Sequence, residues 1–254
     1  MLLHSNIIGE GRPFVILHGF LGMGDNWKTL AKQFSNLGYQ VHLVDQRNHG
    51  RSFHDSTFNY DVLAADLKTY YDHHALENTV LLGHSMGGKT AMLFAALYPE
   101  NISKLIVADI APRFYPVHHH AILEGLSSLN FKEITTRKEA EIQLSKYVQD
   151  VGTRQFLLKN IYRVSPTVLG LRINLEVLKT QVSEVGEALS PLLSFPKDSL
   201  FLRGDQSEYI STQDEDSIKL QFPNATIQTV TNAGHWLHAE NPVEFFERVC
   251  SFIA

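Results

Sequence analysis

A serine stands at the centre of the sequence Gly-His-Ser-Met-Gly, residues 83–87. Residues 80–82 are all apolar and predict a short buried strand. Residues 89–97 are rich in Ala, Leu and Met and predict a helix that ends before Pro99. Ser85 is therefore expected on a sharp turn between strand and helix, where the two glycines of the motif avoid crowding against the neighbouring backbone.

A serine hydroxyl in this position could attack a carbonyl carbon once a base removes its proton. The N-terminus of the helix behind Ser85 would also favour the negative charge that such an attack produces. The alternative interpretation is a glycine-rich turn in which Ser85 only caps the helix. The flanking strand and helix favour the nucleophile.

A serine nucleophile needs a base, and the base needs a third group to orient it. His235 is the candidate base because it follows the last predicted strand in a Gly-His turn. The acid has two candidates: Asp109 ends the strand after the serine unit, and Asp205 follows the penultimate strand. In the Gly-x-x-Asp pattern usual for that second loop, Ser207 takes the place of the aspartate. Asp109 is therefore the preferred acid, Asp205 is the alternative, and Ser207 is expected to support the triad.

Two backbone N–H groups are needed to stabilise the oxyanion of the reaction. Met86 follows the nucleophile and is expected to supply one, and Phe20, in the glycine-rich sequence after His18, is expected to supply the other. We expect His18 to brace this loop by hydrogen bonding. The run of histidines at 118–120 is not predicted to bind metal, because adjacent helical residues point in different directions and no further ligands complete a site.

Short apolar segments that alternate with helical patterns predict a mostly parallel sheet with helices on both faces. The predicted strands lie near residues 2–8, 14–17, 41–44, 80–82, 105–108, 199–203 and 226–230. Ligand sites in such sheets lie at the carboxyl ends of the strands. His18, Asp45, Ser85 and Asp109 all follow strands, so they are expected to share one rim.

The alternation breaks between residues 112 and 196, where no strand is predicted. Helical patterns occur instead around residues 118–129, 136–149, 153–163 and 168–180. This segment is too long for a plain loop. We predict an all-helical cap over the site, inserted into a core domain made of residues 1–111 and 197–254.

Composition narrows the possible partners. A net charge of -5 argues against nucleic acid and anionic membranes as partners. Cys250 is the only cysteine, so no intrachain disulfide can form. No apolar run is long enough for a membrane span, and the first residues lack the pattern of a signal peptide, which predicts a cytoplasmic protein. The sequence does not indicate the oligomeric state.

Five motifs together resemble the α/β-hydrolase superfamily over nearly the whole chain. They are His-Gly-Phe-Leu-Gly (18–22), Asp-Gln-Arg-Asn-His-Gly-Arg-Ser (45–52), Gly-His-Ser-Met-Gly-Gly-Lys (83–89), Asp-Ile-Ala-Pro (109–112) and Gly-His-Trp (234–236). The Arg-Asn-His-Gly and Asp-Ile-Ala-Pro pieces are most similar to the YbfF-type bacterial acyl esterases and the abhydrolase-11 proteins. The resemblance implies an eight-stranded type of sheet, a helical cap, Asp109 as the acid, and no cofactor. Ser207 departs from the aspartate that is usual in the wider superfamily.

These observations predict a serine hydrolase that cleaves small-molecule carboxylic esters, or acyl-CoA-type thioesters, through an acyl-enzyme on Ser85. A carbon–carbon bond hydrolase or lyase on the same fold is the alternative enzyme, and its acid would follow the penultimate strand, near Asp205. A non-catalytic ligand-binding or scaffold protein is the alternative from a different class. The residues do not identify the substrate.

Overall fold

Nine strands are present in the computed structural model, which describes residues 1–254. They are β1 (Ser5–Ile8), β2 (Arg12–Leu17), β3 (Tyr39–Val44), β4 (Thr79–His84), β5 (Ile102–Ala108), β6 (Ile161–Arg163), β7 (Leu169–Leu171), β8 (Ser199–Gly204) and β9 (Ala225–Val230). Seven of them form one sheet in the order β1-β3-β2-β4-β5-β8-β9, in which only β1 runs antiparallel to its neighbour. The predicted mostly parallel sheet is confirmed. It has seven strands rather than eight, since a single four-residue strand precedes β2.

Eleven α-helices accompany the strands. They are α1 (Lys28–Ser35), α2 (Tyr60–His73), α3 (Met86–Leu97), α4 (His120–Ser127), α5 (Arg137–Leu144), α6 (Val151–Leu158), α7 (Leu175–Thr180), α8 (Val182–Gly186), α9 (Asp214–Gln221), α10 (Leu237–Glu240) and α11 (Pro242–Ile253). None of them combines the length and the apolar character that crossing a membrane requires.

Alternating residues of each strand pack against helices on opposite faces of the sheet. On β2, Phe14 and Ile16 belong to the core that α1 and α11 cover. Val15 and Leu17 belong to the core on the other face, together with α2 and α3. This period of two explains the long apolar runs in the central strands, as expected where a sheet is buried on both sides.

The insertion differs from the predicted all-helical segment. Strands β6 and β7 pair as an antiparallel hairpin within it, so the helices predicted at 153–163 and 168–180 are too long. Ile161 and Tyr162 favour a strand, and the Ser165-Pro166 pair favours a turn. Strands of only three residues are too short to show a period of two that distinguishes them from a helix. The division of the chain into a core and a cap stays a prediction.

The turn between β4 and α3 is unusually tight. Ser85 has a φ of 53°, in the left-handed region that residues with a β-carbon seldom adopt. A β-carbon added to Gly83 would lie 2.1 Å from the carbonyl oxygen of Gly87, and one added to Gly87 would lie 2.5 Å from that of His18. Because these neighbours are backbone atoms, neither clash can be relieved by a side-chain movement.

We predict that Gly83→Ala lowers the free energy of unfolding by about 3 kcal/mol or more, because the added methyl group meets backbone and forces the turn open. Gly38→Ala is the matched control: its β-carbon meets nothing within 4 Å, but its φ is +85°, so only the cost of backbone conformation, about 1–2 kcal/mol, is expected. Urea unfolding of both variants measures the difference. Equal losses would show that the turn has room for a side chain.

Candidate active site

Three side chains predicted from the sequence form one hydrogen-bonded chain. His235 Nε2 lies 2.9 Å from Ser85 Oγ, and His235 Nδ1 lies 2.8 Å from Asp109 Oδ2. Asp109 is fully buried. Because a carboxylate accepts at Nδ1, that nitrogen carries the ring proton, and Nε2 is free to accept from the serine hydroxyl.

Each of these residues follows a strand of the sheet. Ser85 follows β4, and Asp109 follows the adjacent strand β5, where its own N–H donates to the carbonyl of Leu202 at 2.8 Å. Asp109 also has a positive φ of 53°. His235 lies in the loop after β9, at the same edge of the sheet. The carboxyl edge of the parallel sheet therefore assembles residues that are far apart in sequence.

Asp205, the alternative acid, lies elsewhere. Its carboxylate accepts the N–H groups of Asn232 and Ala233 at 2.9 and 3.0 Å. These backbone hydrogen bonds lower the pKa of Asp205. Its position supports the loop that leads to His235, and it makes no hydrogen bond to the imidazole.

The buried Asp109 carboxylate is well supplied with donors. Ser207 Oγ donates to Oδ2, the same oxygen that His235 contacts, and the N–H of Gly204 donates to Oδ1 at 3.2 Å. Burial raises the pKa of Asp109, whereas the bonds from Ser207 and Gly204 lower it and favour the ionised form. Ser207 therefore contacts the member of the triad that it was expected to support.

Two further residues hold His235 in place. The ring of Tyr209 stacks on the imidazole, with centroids 3.8 Å apart and planes 18° from parallel. His84 Nε2 donates to the backbone carbonyl of His235 at 2.8 Å. Burial lowers the pKa of His235, so the imidazole is neutral and can act as a base. Sequence reasoning assigned no role to Tyr209 or His84, although the position of His84 beside Ser85 was a signal that could have found it.

The backbone N–H groups of Phe20 and Met86, predicted to form the oxyanion hole, have no hydrogen-bond partner in the chain. Phe20 lies in a turn that is closed by a 3.0 Å hydrogen bond from the Gly22 N–H to the Gly19 carbonyl. The Phe20 N–H itself donates to no group of the protein. Met86 is the first residue of α3, where N–H groups have no intrahelical acceptor. His18 braces the loop, because Nδ1 donates to the Gly19 carbonyl at 2.8 Å.

Two cavities meet at Ser85. One is lined on its apolar side by Ile122, Phe156, Leu157 and Trp236. The other has Ile110, Val117, Val182 and Val185 in its wall. His119 lines both cavities, and its ring lies edge-on to Phe20 with centroids 5.0 Å apart. The site therefore offers two partly apolar compartments that share Ser85 in their walls.

Only His120 of the run 118–120 lies in a helix, and the rings of His118 and His119, predicted to point in different directions, pack against each other with centroids 4.2 Å apart. His118 Nε2 lies 2.7 Å from the hydroxyl of Tyr209, and the structure contains no group of three or more His, Cys, Asp or Glu side chains placed to hold a metal ion.

Comparison with known proteins identifies the family. A family model for the alpha/beta hydrolase fold matches residues 12–242. The chain belongs to the α/β-hydrolases. A mouse protein named sn-1-specific diacylglycerol lipase ABHD11 is 37% identical to this hydrolase over 254 residues, covering 94% of this chain and 80% of the mouse protein. Esterase YbfF of Escherichia coli is 36% identical over 232 residues, covering 91% of this chain and 88% of that protein.

A solved structure described as a marine microorganism esterase superposes on this hydrolase with a TM-score of 0.95. The two chains are 41% identical, and the match covers 99% of each. The predicted fold class and the resemblance to the YbfF-type esterases and abhydrolase-11 proteins are thereby confirmed.

Neutral, buried histidines surround the hydrolase site. Burial lowers the pKa of His18 to about 4 and the pKa of His49 and His84 to about 3. In His18 and His49 one ring nitrogen donates to a carbonyl while the other accepts a backbone N–H. Both hydrogen bonds require the neutral ring. Protonation of either residue would break a bond and place a charge in the interior.

We predict that the hydrolase loses stability as the pH falls below 6.5, the pKa of an unfolded histidine. Between that value and the lower folded pKa values the unfolded chain binds more protons, so acid favours unfolding. The raised pKa of Asp109 acts in the opposite direction, but it is one group against several. The free energy of unfolding should fall by at least about 4 kcal/mol between pH 7 and pH 5.

Urea unfolding across this pH range measures the effect. His238→Phe serves as a comparison, because His238 stacks on Trp27 with centroids 4.0 Å apart, its Nδ1 has no partner, and burial lowers its pKa well below 6.5. This variant should show a shallower dependence on pH than the wild type. Stability that stays constant from pH 7 to pH 5 would contradict the prediction.

Proposed function

We propose that this chain is a serine hydrolase that cleaves carboxylic esters through an acyl-enzyme on Ser85. The serine Oγ attacks the ester carbonyl while His235 Nε2 takes its proton. Asp109 holds the imidazole in the required tautomer and stabilises the cation that forms. The N–H groups of Phe20 and Met86 stabilise the oxyanion.

The remaining steps regenerate the enzyme. His235 passes the proton to the departing alkoxide, which leaves as the alcohol. The acyl group stays bonded to Ser85. Water then attacks the acyl-enzyme, again with His235 as the base, and releases the carboxylic acid.

The observation that carries this proposal is the unbroken contact from Ser85 through His235 to Asp109, at 2.9 and 2.8 Å. The protonation states also suit the reaction, because the imidazole of His235 is neutral and the buried Asp109 carboxylate is surrounded by hydrogen-bond donors. The competing interpretation of Ser85 as a helix cap has no support, since its side chain makes no capping hydrogen bond. A complete triad also argues against a protein that only binds a ligand or serves as a scaffold.

Carboxylic esters are the substrate class that the relatives' names support, because those relatives are named as esterases and as a diacylglycerol lipase. The two apolar cavities that meet at Ser85 suit a small molecule with an apolar group on each side of its carbonyl. Thioesters share the same acyl-transfer chemistry and form the second class to test. The carbon–carbon alternative is not favoured, since the Asp205 carboxylate hydrogen-bonds to Asn232 and Ala233 and not to His235.

We also propose that residues 112–196 form the cap of the site, because Ile122, Phe156 and Val185 in that segment line the cavities. The cytoplasmic location stays a prediction.

Substitution of the triad tests the proposal with p-nitrophenyl esters from acetyl to palmitoyl. Ser85→Ala should lower kcat by about 10⁴-fold or more, because it removes the nucleophile. Asp109→Asn should lower kcat by about 10²- to 10⁴-fold, because an amide does not hold His235 in the required tautomer. Asp205→Asn is the matched control, since it makes the same chemical change outside the triad. Its kcat should stay within about threefold of the wild type.

A wild-type enzyme that cleaves neither these esters nor the corresponding thioesters would contradict the proposal. An inactive but folded Asp205→Asn variant beside an active Asp109→Asn variant would reverse the assignment of the acid and revive the carbon–carbon alternative.

The dependence of the rate on pH tests the role of His235. Because only the neutral imidazole can accept the serine proton, kcat/KM should fall as the pH drops through the pKa of His235. Burial lowers that pKa, so the fall should begin below pH 6.5. The measurement uses the pH range in which circular dichroism shows a folded protein. A kcat/KM that begins to fall at or above pH 6.5 while the protein stays folded would contradict this role, because a base with a lowered pKa is still neutral there.

A further inference from the structure

The turn that carries the Phe20 N–H is strained at the next residue. Leu21 has a φ of 60°, a conformation that residues with a β-carbon adopt rarely outside turns that hold them there. Hydrogen bonding between Gly22 and Gly19 closes the turn but does not involve the polar groups of Leu21. Other contacts must therefore keep Leu21 in this conformation.

One contact comes from the core of the hydrolase. The N–H of Leu21 donates to His49 Nε2 at 3.1 Å. His49 Nδ1 donates to the carbonyl of Arg47 at 2.8 Å, which fixes the tautomer that leaves Nε2 as an acceptor. The N–H side of the strained residue is thus held by a buried ring.

The second contact comes from the insertion. Asn160 Nδ2 donates to the carbonyl of Leu21 at 2.8 Å, across 139 positions of sequence. Asn160 is fully buried, and it lies between α6 and β6. Its backbone is also fixed, because its N–H donates to Leu157 at 3.0 Å and its carbonyl accepts from Arg172 at 2.9 Å.

The other amide atom of Asn160, Oδ1, is buried and has no hydrogen-bond partner. A buried amide that leaves its oxygen unpaired is costly, and an apolar side chain would fill the same space without that cost. The one hydrogen bond that the side chain makes, to Leu21, is therefore what distinguishes asparagine at this position from an apolar residue.

We propose that Asn160 is a positioning residue for the oxyanion hole. Its amide holds the Leu21 carbonyl from the insertion while His49 holds the Leu21 N–H from the core, and together they keep the preceding N–H of Phe20 directed at the reacting oxygen. The insertion thereby contributes to catalysis as well as to the walls of the cavities. This inference rests on the proposed function.

Three substitutions of Asn160 test this positioning role. Asn160→Leu and Asn160→Asp keep about the same side-chain size but remove the amide N–H donor, and Asn160→Ser shortens the side chain while keeping it polar. The readouts are kcat and KM for p-nitrophenyl butyrate and the inhibition constant of an alkyl trifluoromethyl ketone, whose adduct with a serine carries an oxyanion. We expect kcat to fall at least about tenfold with KM within about threefold, because the lost interaction acts in the transition state. The inhibition constant should rise by the factor by which kcat/KM falls.

Asn174→Leu is the matched control. Its amide also joins the insertion to the core, donating to Asn48 Oδ1 at 3.1 Å, but it makes no hydrogen bond to residues 19–22. This variant should keep the wild-type ratio of the inhibition constant to KM. That ratio separates a loss of oxyanion stabilisation from a general disturbance of the cap, which would change substrate and inhibitor binding alike.

The possible failures are distinguishable. A folded Asn160 variant with wild-type kcat, or one whose kcat falls while inhibitor affinity stays unchanged, would overturn the positioning role. Loss of the thermal transition in all three variants would also overturn it, since Asn160 would then be a requirement of folding. Failure of the proposed function would appear instead in the wild type, as absent ester cleavage in the same assay.

Discussion

The close approach of helix α3 to strand β4 is the constraint on which the site depends. Gly83 and Gly87 bring backbone against backbone, and the chain between them must turn at Ser85 with a positive φ. A serine in a relaxed loop would be free to bond to nearby backbone groups. Here the turn directs the hydroxyl to His235 and leaves the N–H of Met86, the first residue of α3, without an acceptor. In the proposed mechanism, the geometry that strains the chain thus also supplies the nucleophile and one oxyanion donor.

The site also requires a carboxylate that stays ionised although it is buried. Asp109 follows β5, and β5 pairs with β8 so that Ala108 lies beside Leu202. Adjacent strands are about 4.8 Å apart, so a carboxylate after either strand can reach the same histidine. With Asp109 after β5 as the proposed acid, the last residue of β8 and the loop after it supply donors instead, from the Gly204 N–H and the Ser207 hydroxyl. This arrangement accounts for a serine where the wider superfamily has an aspartate.

Local patterns predicted the sheet and placed Ser85 and His235 at its edge, because central parallel strands carry long apolar runs and their carboxyl ends lie on one rim. For the acid they favoured Asp109 and kept Asp205 as the alternative. The β6–β7 hairpin was missed because strands of three residues carry too little periodicity. Tyr209 and Asn160 were missed for another reason: their contacts to His235 and Leu21 arise from tertiary packing across long separations in sequence, and neither residue stands in a motif. Most of the contacts that hold the triad in place likewise come from tertiary packing and not from motifs.

The central claim is that an acyl group passes through a covalent bond to Ser85. The most direct measurement is mass spectrometry of the enzyme after rapid acid quenching during turnover of a p-nitrophenyl ester. The account predicts a mass increase equal to that of the acyl group less the one hydrogen that it replaces, located on the peptide that contains Ser85 and absent from Ser85→Ala. Rapid ester cleavage with no adduct detected even at the earliest quench times, or an adduct on another residue, would contradict it.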